Sequence, residues 1–95
     1  MIVVTAPLQL WSSESGTWHF ITVPEEVSDD IRAHAMVNLR GFNSVKVQAT
    51  IDDCTWRTSV FPIRAGGYFL PVKAEVRRKA EIAAGDEVTV MLEVL

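Results

Sequence analysis

Apolar and polar positions alternate along most of this chain with a period of two, the spacing of a strand with one covered face. Ile2, Val4, Ala6, Leu8 and Leu10 share one parity across 2–11, and Pro7 lacks the amide that a central strand needs, so this run predicts an edge strand or one bulged near Pro7. The polar stretch 12–16 predicts a turn, and 17–23 a second strand. In that second strand Trp18 and Phe20 share one face while His19, Ile21 and Val23 share the other. Apolar residues on both faces predict a strand covered on both sides. Val45, Val47, Ala49 and Ile51 alternate with Ser44, Lys46, Gln48 and Thr50. Asp52-Asp53 then predicts a turn, after which 54–63 returns with Trp56, Thr58 and Val60 on one face and Arg57, Ser59 and Phe61 on the other. A loop over 64–67 leads to a short strand at 68–70, and Val88, Val90, Leu92 and Val94 mark a closing strand over 87–95.

Two stretches break this period. After Pro24, the acids Glu25, Glu26, Asp29 and Asp30 favour a helix N-terminus, with Ser28 as the N-cap of a late start or Pro24 near the first turn of an early one. Val27, Ile31 and Ala35 fall four apart, and Arg40 with Gly41 suits the helix end. The second, 72–80, predicts about two turns, with Val72 and Val76 one turn apart and Lys73 and Arg77 likewise. The order is strand, strand, helix, hairpin, short strand, short helix, strand. A mainly β fold with α+β content follows: one domain over 1–95, a small closed or partly open six-stranded β-barrel with one main helix and one short helix. That reading rests on Val45, Val47, Val88 and Val90 facing one shared interior. A chain this short has a thin margin over its ordering cost, so most of its aromatic residues are expected in the core.

Composition narrows the setting. Hydrophobic residues make up 48% of the chain, too many for a disordered one. The single cysteine, Cys54, excludes an internal disulfide and any multi-cysteine metal site, and suits a reducing cytoplasm. The first ten residues lack the basic start of a signal peptide, and no apolar run approaches the roughly 20 residues that span a bilayer. Net charge is −3, yet residues 32–80 hold all nine bases and three acids, while 1–31 hold five acids and 81–95 four. A local positive field is therefore compatible with a negative total, if the fold gathers Arg40, Lys46, Arg57, Lys73, Arg77 and Arg78 on one side.

Several runs in order carry a family resemblance. Gly16-Thr17-Trp18-His19-Phe20 with Val23-Pro24 comes first, then Val45-Lys46-Val47 and the run from Trp56 through Arg57, Thr58, Ser59, Val60 and Phe61 to Pro62. Gly67-Tyr68-Phe69-Leu70-Pro71-Val72, Val76-Arg77 and Gly85-Asp86-Glu87-Val88-Thr89-Val90 follow. Together they resemble the family catalogued as domain of unknown function 1905. The resemblance implies a small barrel of about six strands with a helix across it, and brings no catalytic residue with it.

No complete catalytic or metal-binding arrangement is legible. His19 and His34 stand 15 positions apart with no third ligand nearby, so no metal and no cofactor is expected. Cys54 sits beside two aspartates, which disfavour a thiolate. Ser59 has no base partner, and serves better as a hydroxyl offered to an anion or to a hydrogen bond within the barrel. The expected site is a barrel opening lined by Trp56, Ser59 and Tyr68 with the bases Arg40, Lys73 and Arg77, holding a small anionic or polar ligand or a peptide. The leading expectation is therefore a non-catalytic binding module. The alternatives are a nucleic-acid-binding accessory domain, disfavoured because Arg77-Arg78-Lys79 is the one continuous basic run, and an uncharacterised enzyme. A homo-oligomer also stays open, because alternation alone does not guarantee that edge strands are covered.

Overall fold

The computed structural model describes residues 2–37, 44–63 and 66–95. Seven strands and two helices follow in the order β1 (Ile2–Pro7), β2 (Gln9–Ser13), β3 (Gly16–Val23), α1 (Glu25–Val37), β4 (Val45–Ile51), β5 (Cys54–Pro62), β6 (Tyr68–Pro71), α2 (Ala74–Ala80) and β7 (Glu87–Val94). The strands form one antiparallel sheet in the order β1-β7-β4-β5-β6-β3-β2, curled into a half-barrel.

The count is seven rather than six because the first predicted strand is broken. Pro7 has no amide to continue the ladder, and Leu8 turns its backbone to the loop before β7, its N–H donating to the Asp86 carbonyl at 2.8 Å and its carbonyl accepting from Gly85 at 2.8 Å. Beyond Leu8 the chain changes partners. β1 pairs with β7, with Val4 opposite Val90, and β2 pairs with β3, with Trp11 opposite Trp18. One bent length of chain thus supplies both ends of the sheet, and the curl brings β1 against β3. The parity read over 2–11 holds through Leu8 and fails at Leu10, which is 50% exposed.

The hairpin of β4 and β5 forms as predicted, with Val45 opposite Val60 and Ile51 opposite Cys54. Asp52 takes φ +52° in its turn, a left-handed conformation that aspartate tolerates better than most residues. The four valines on which the barrel reading rests are all buried: Val45, Val47, Val88 and Val90. They pack with Val4, Leu8, Ile21, Ile51, Leu70 and Leu92 in one core.

Helix α1 takes the early start. The Val27 and Ser28 amides donate to the Pro24 carbonyl, so Ser28 is not an N-cap. It lies fully buried inside the first turns and returns its hydroxyl to the carbonyls of Pro24 at 2.9 Å and Val23 at 3.3 Å. Ile31 seals the helix onto the core. Gly67, at φ +85°, brings the segment before β6 so close to the junction of β3 and α1 that a Cβ there would stand 3.0 Å from the Val23 carbonyl oxygen. Arg40, Gly41, Phe42 and Arg64 lie outside the described residues. No described helix is long and apolar enough to cross a membrane.

Candidate functional site

The length of β6 creates the site. Its four residues bridge β3 and β5, pairing Phe20 with Pro71, Thr22 with Phe69 and Phe61 with Phe69. At Pro71 the strand stops and the chain turns toward α2, so β3 and β5 lose their shared neighbour. The gap is a cleft of about 350 Å³, flanked by Thr17, Trp18 and His19 of β3 and by Trp56, Arg57 and Thr58 of β5. Its third wall is the segment from Pro71 to Ala74, with Arg77 of α2.

Three cations, Arg57, Lys73 and Arg77, line this cleft, and no carboxylate does. Among the described residues none of the three is ion-paired; the salt bridges are Arg32–Asp29 and Lys79–Glu75. Arg77 is held in place. Its Nε donates to the Val72 carbonyl at 3.3 Å, and its Nη1 lies 3.2 Å from His19 Nε2. A guanidinium only donates, so His19 Nε2 accepts here and the imidazole is neutral, with its proton on Nδ1. Burial lowers the His19 pKa, and the Arg77 charge lowers it further. The backbone secures the same contact, since the Val72 amide donates to the His19 carbonyl at 2.9 Å. These two bonds leave three of the five guanidinium N–H donors of Arg77 uncommitted to either contact.

A second concavity adjoins the first on the outer face of the sheet. It is a groove of about 750 Å³ lined by Trp11, Trp18, His19, Phe20, Pro62, Ile63, Phe69 and Pro71. Two sets of aromatic rings are in contact along and beside it. Trp11 stacks on Trp18 with centroids 4.9 Å apart and 9° between planes, Phe20 meets Phe69 edge-on at 6.0 Å, and Phe61 stacks on Phe69 at 5.4 Å. Cleft and groove share Trp18, His19 and Pro71.

The predicted site residues divide. Lys73 and Arg77 converge as their one-turn spacing implied, and Trp56 joins them in the cleft wall. Tyr68 instead points into the core at 4% exposure, and Ser59 lies opposite Lys46 on the other face of β5 from Trp56. Arg40 is outside the described residues. The expectation that most aromatic residues serve the core is overturned. Of the seven in the described residues, only Trp56 and Tyr68 are buried, while Trp11, Trp18 and Phe61 are exposed and Phe20 and Phe69 half-buried. Nor is β3 covered on both sides, since Trp18 is 49% exposed.

The expected site does not include Arg57 or the outer phenylalanines Phe20, Phe61 and Phe69. Parity carried a usable signal: Trp18, Phe20 and Phe61 fall on the faces opposite Ile21 and Val60, where polar residues are expected. A third cleft, at the other end of α2, gathers Asp52, Asp53, Cys54 and Glu81 with Lys79. It is acidic where the first is basic. Comparison with curated proteins returns no match. A family model does match, over residues 5–92 and hence over nearly the whole chain: the chain belongs to the family described as domain of unknown function DUF1905.

Proposed function

We propose that this domain is a non-catalytic binding module that holds a small anionic ligand, a carboxylate or a phosphate, in the cleft between β3, β5 and α2. One observation carries the reading: Arg57, Lys73 and Arg77 line a single concavity whose lining holds no carboxylate. The stacked wall of Trp18 and the half-buried His19 supply shape, and the volume of about 350 Å³ suits a small molecule. Because the cations gather in one cleft rather than along a stripe, a nucleic-acid backbone is the less supported occupant. The single cysteine suits a reducing cytoplasm, where small phosphorylated and carboxylated metabolites are plentiful.

The test is titration with inorganic phosphate and with acetate, followed by amide and indole chemical shifts. Binding is expected to shift Trp56, Arg57 and Lys73, to weaken as ionic strength rises, and to weaken about tenfold in Lys73→Ala or Arg57→Gln, in line with the loss of a charge-assisted contact. If both anions leave these signals unmoved, or if the variants bind them as well as the parent, the reading is wrong.

A further inference from the structure

The aromatic groove is an apolar feature that the anion-binding reading leaves unused. It lies on the outer face of a sheet whose core is complete without it, and it exposes Trp11 by 53% and Trp18 by 49%. Exposed aromatic surface on this scale marks contact with something apolar. Two observations identify the occupant. First, groove and cleft adjoin, because Trp18, His19 and Pro71 belong to both. Second, charge is distributed unevenly along them. Arg57, Lys73 and Arg77 line the cleft end, and no cation or carboxylate lines the groove.

A single strand of nucleic acid needs cations all along its path and free ring faces for its bases. Here the cations sit at one end, and Trp11 and Trp18 already cover one face of each other. The complementary shape is a molecule charged at one end and apolar along the rest. We infer that cleft and groove form one continuous site for an amphiphilic acid, its anionic group held by Arg57, Lys73 and Arg77 and its aromatic or aliphatic body laid over Trp18, Phe20 and Phe69. This rests on the anion-binding reading of the cleft and adds the chemical class of the ligand.

The three tryptophans make the inference measurable, since Trp56 lines only the cleft, Trp11 only the groove and Trp18 both. The probes are 1-naphthaleneacetate, acetate and the uncharged 1-naphthalenemethanol, titrated into the intact chain and followed by indole N–H resonances and calorimetry. Naphthaleneacetate is expected to move all three indoles, acetate only Trp56 and Trp18, and the alcohol only Trp11 and Trp18. Naphthaleneacetate should also bind about tenfold or more tighter than either fragment, because burial of the ring adds to the charge contact. Phe20→Ser should remove that advantage and leave acetate binding intact; Trp11→Ser, at a more exposed position, gives the same test if the first variant folds poorly.

Acetate binding without any gain for naphthaleneacetate, with Trp11 unmoved, overturns the amphiphile and spares the anion site. Tight binding of the alcohol with no effect of charge overturns both. A ligand-free dimer in sedimentation, with the Trp11 signal shifting as protein concentration rises, shows that a second copy fills the groove and overturns the inference as well.

Discussion

The two faces of the ribbon formed by β3 and β6 obey the same alternation and hold opposite chemistry. Inward stand Ile21, Val23 and Leu70, at most 1% exposed, with Tyr68 at 4%. Outward stand Trp18, Phe20 and Phe69, which touch one another or Trp11; Trp18 is exposed and the two phenylalanines are half-buried. The inner face is largely aliphatic, close-packed and committed to stability. The outer one is aromatic, adjoins a cationic cleft, and lies outside the core. In a domain this small, large rings left on the outside indicate a surface that has work beyond holding the fold together.

Substitution separates the two faces. The largest loss is expected at the inner one: Leu92→Ala empties a fully buried position between β1 and β4, and should cost about 2–5 kcal/mol in urea unfolding. Gly67→Ala should follow at about 1–3 kcal/mol, because φ +85° strains any Cβ and the Val23 carbonyl oxygen stands 3.0 Å away. A Gly67→Ala protein as stable as the parent would show that the approach of this segment to α1 relaxes freely. On the outer face, Trp11→Ser should cost only the stacked pair, about 0.5–1.5 kcal/mol. A loss as large as that of Leu92→Ala would erase the distinction between the faces.

The smallest effect concerns protons at the junction of cleft and groove. His19 has a folded-state pKa below the ordinary imidazole value, through burial first and the Arg77 charge second. The unfolded chain therefore takes up this proton more readily than the folded one. Stability from His19 is fully present above the unfolded pKa and is lost as pH falls through the lowered folded one. Arg77→Met should raise the His19 midpoint in an NMR titration while leaving it below the ordinary value, since burial persists. An unchanged midpoint would mean that the Arg77 contact does not form in solution.

Much of the fold was legible because period-two alternation has one physical cause, a covered face. The hairpin from Val45 to Pro62 and the buried parity of β7 follow from side-chain order and local backbone chemistry, whereas the start of α1 lay between Pro24 and Ser28 and is decided by the bonds to the Pro24 carbonyl. The break at Leu8 was only half legible. Pro7 announced a disturbed ladder, but the exchange of partners depends on Gly85 and Asp86, far away in the chain. The site was legible where spacing is local, as in Lys73 and Arg77 one helical turn apart. It was not legible for Tyr68, whose burial only packing decides, and strand parity already sets Ser59 on the face opposite Trp56.

By itself the sequence determined the two helices, the hairpin and closing strand with their parity, and the concentration of bases in the middle of the chain, because these depend on neighbours a few residues apart; it did not divide the first strand into β1 and β2. It also carried the family likeness that the family match over 5–92 bears out. Tertiary structure alone decided that Arg57 of β5, Lys73 before α2 and Arg77 within it share one cleft, and that five aromatic rings from four strands line up outside the barrel. Both outcomes come from pairing across the sheet and from where β6 stops. Pairing across a sheet joins residues distant in sequence, and no local pattern specifies which strands become neighbours.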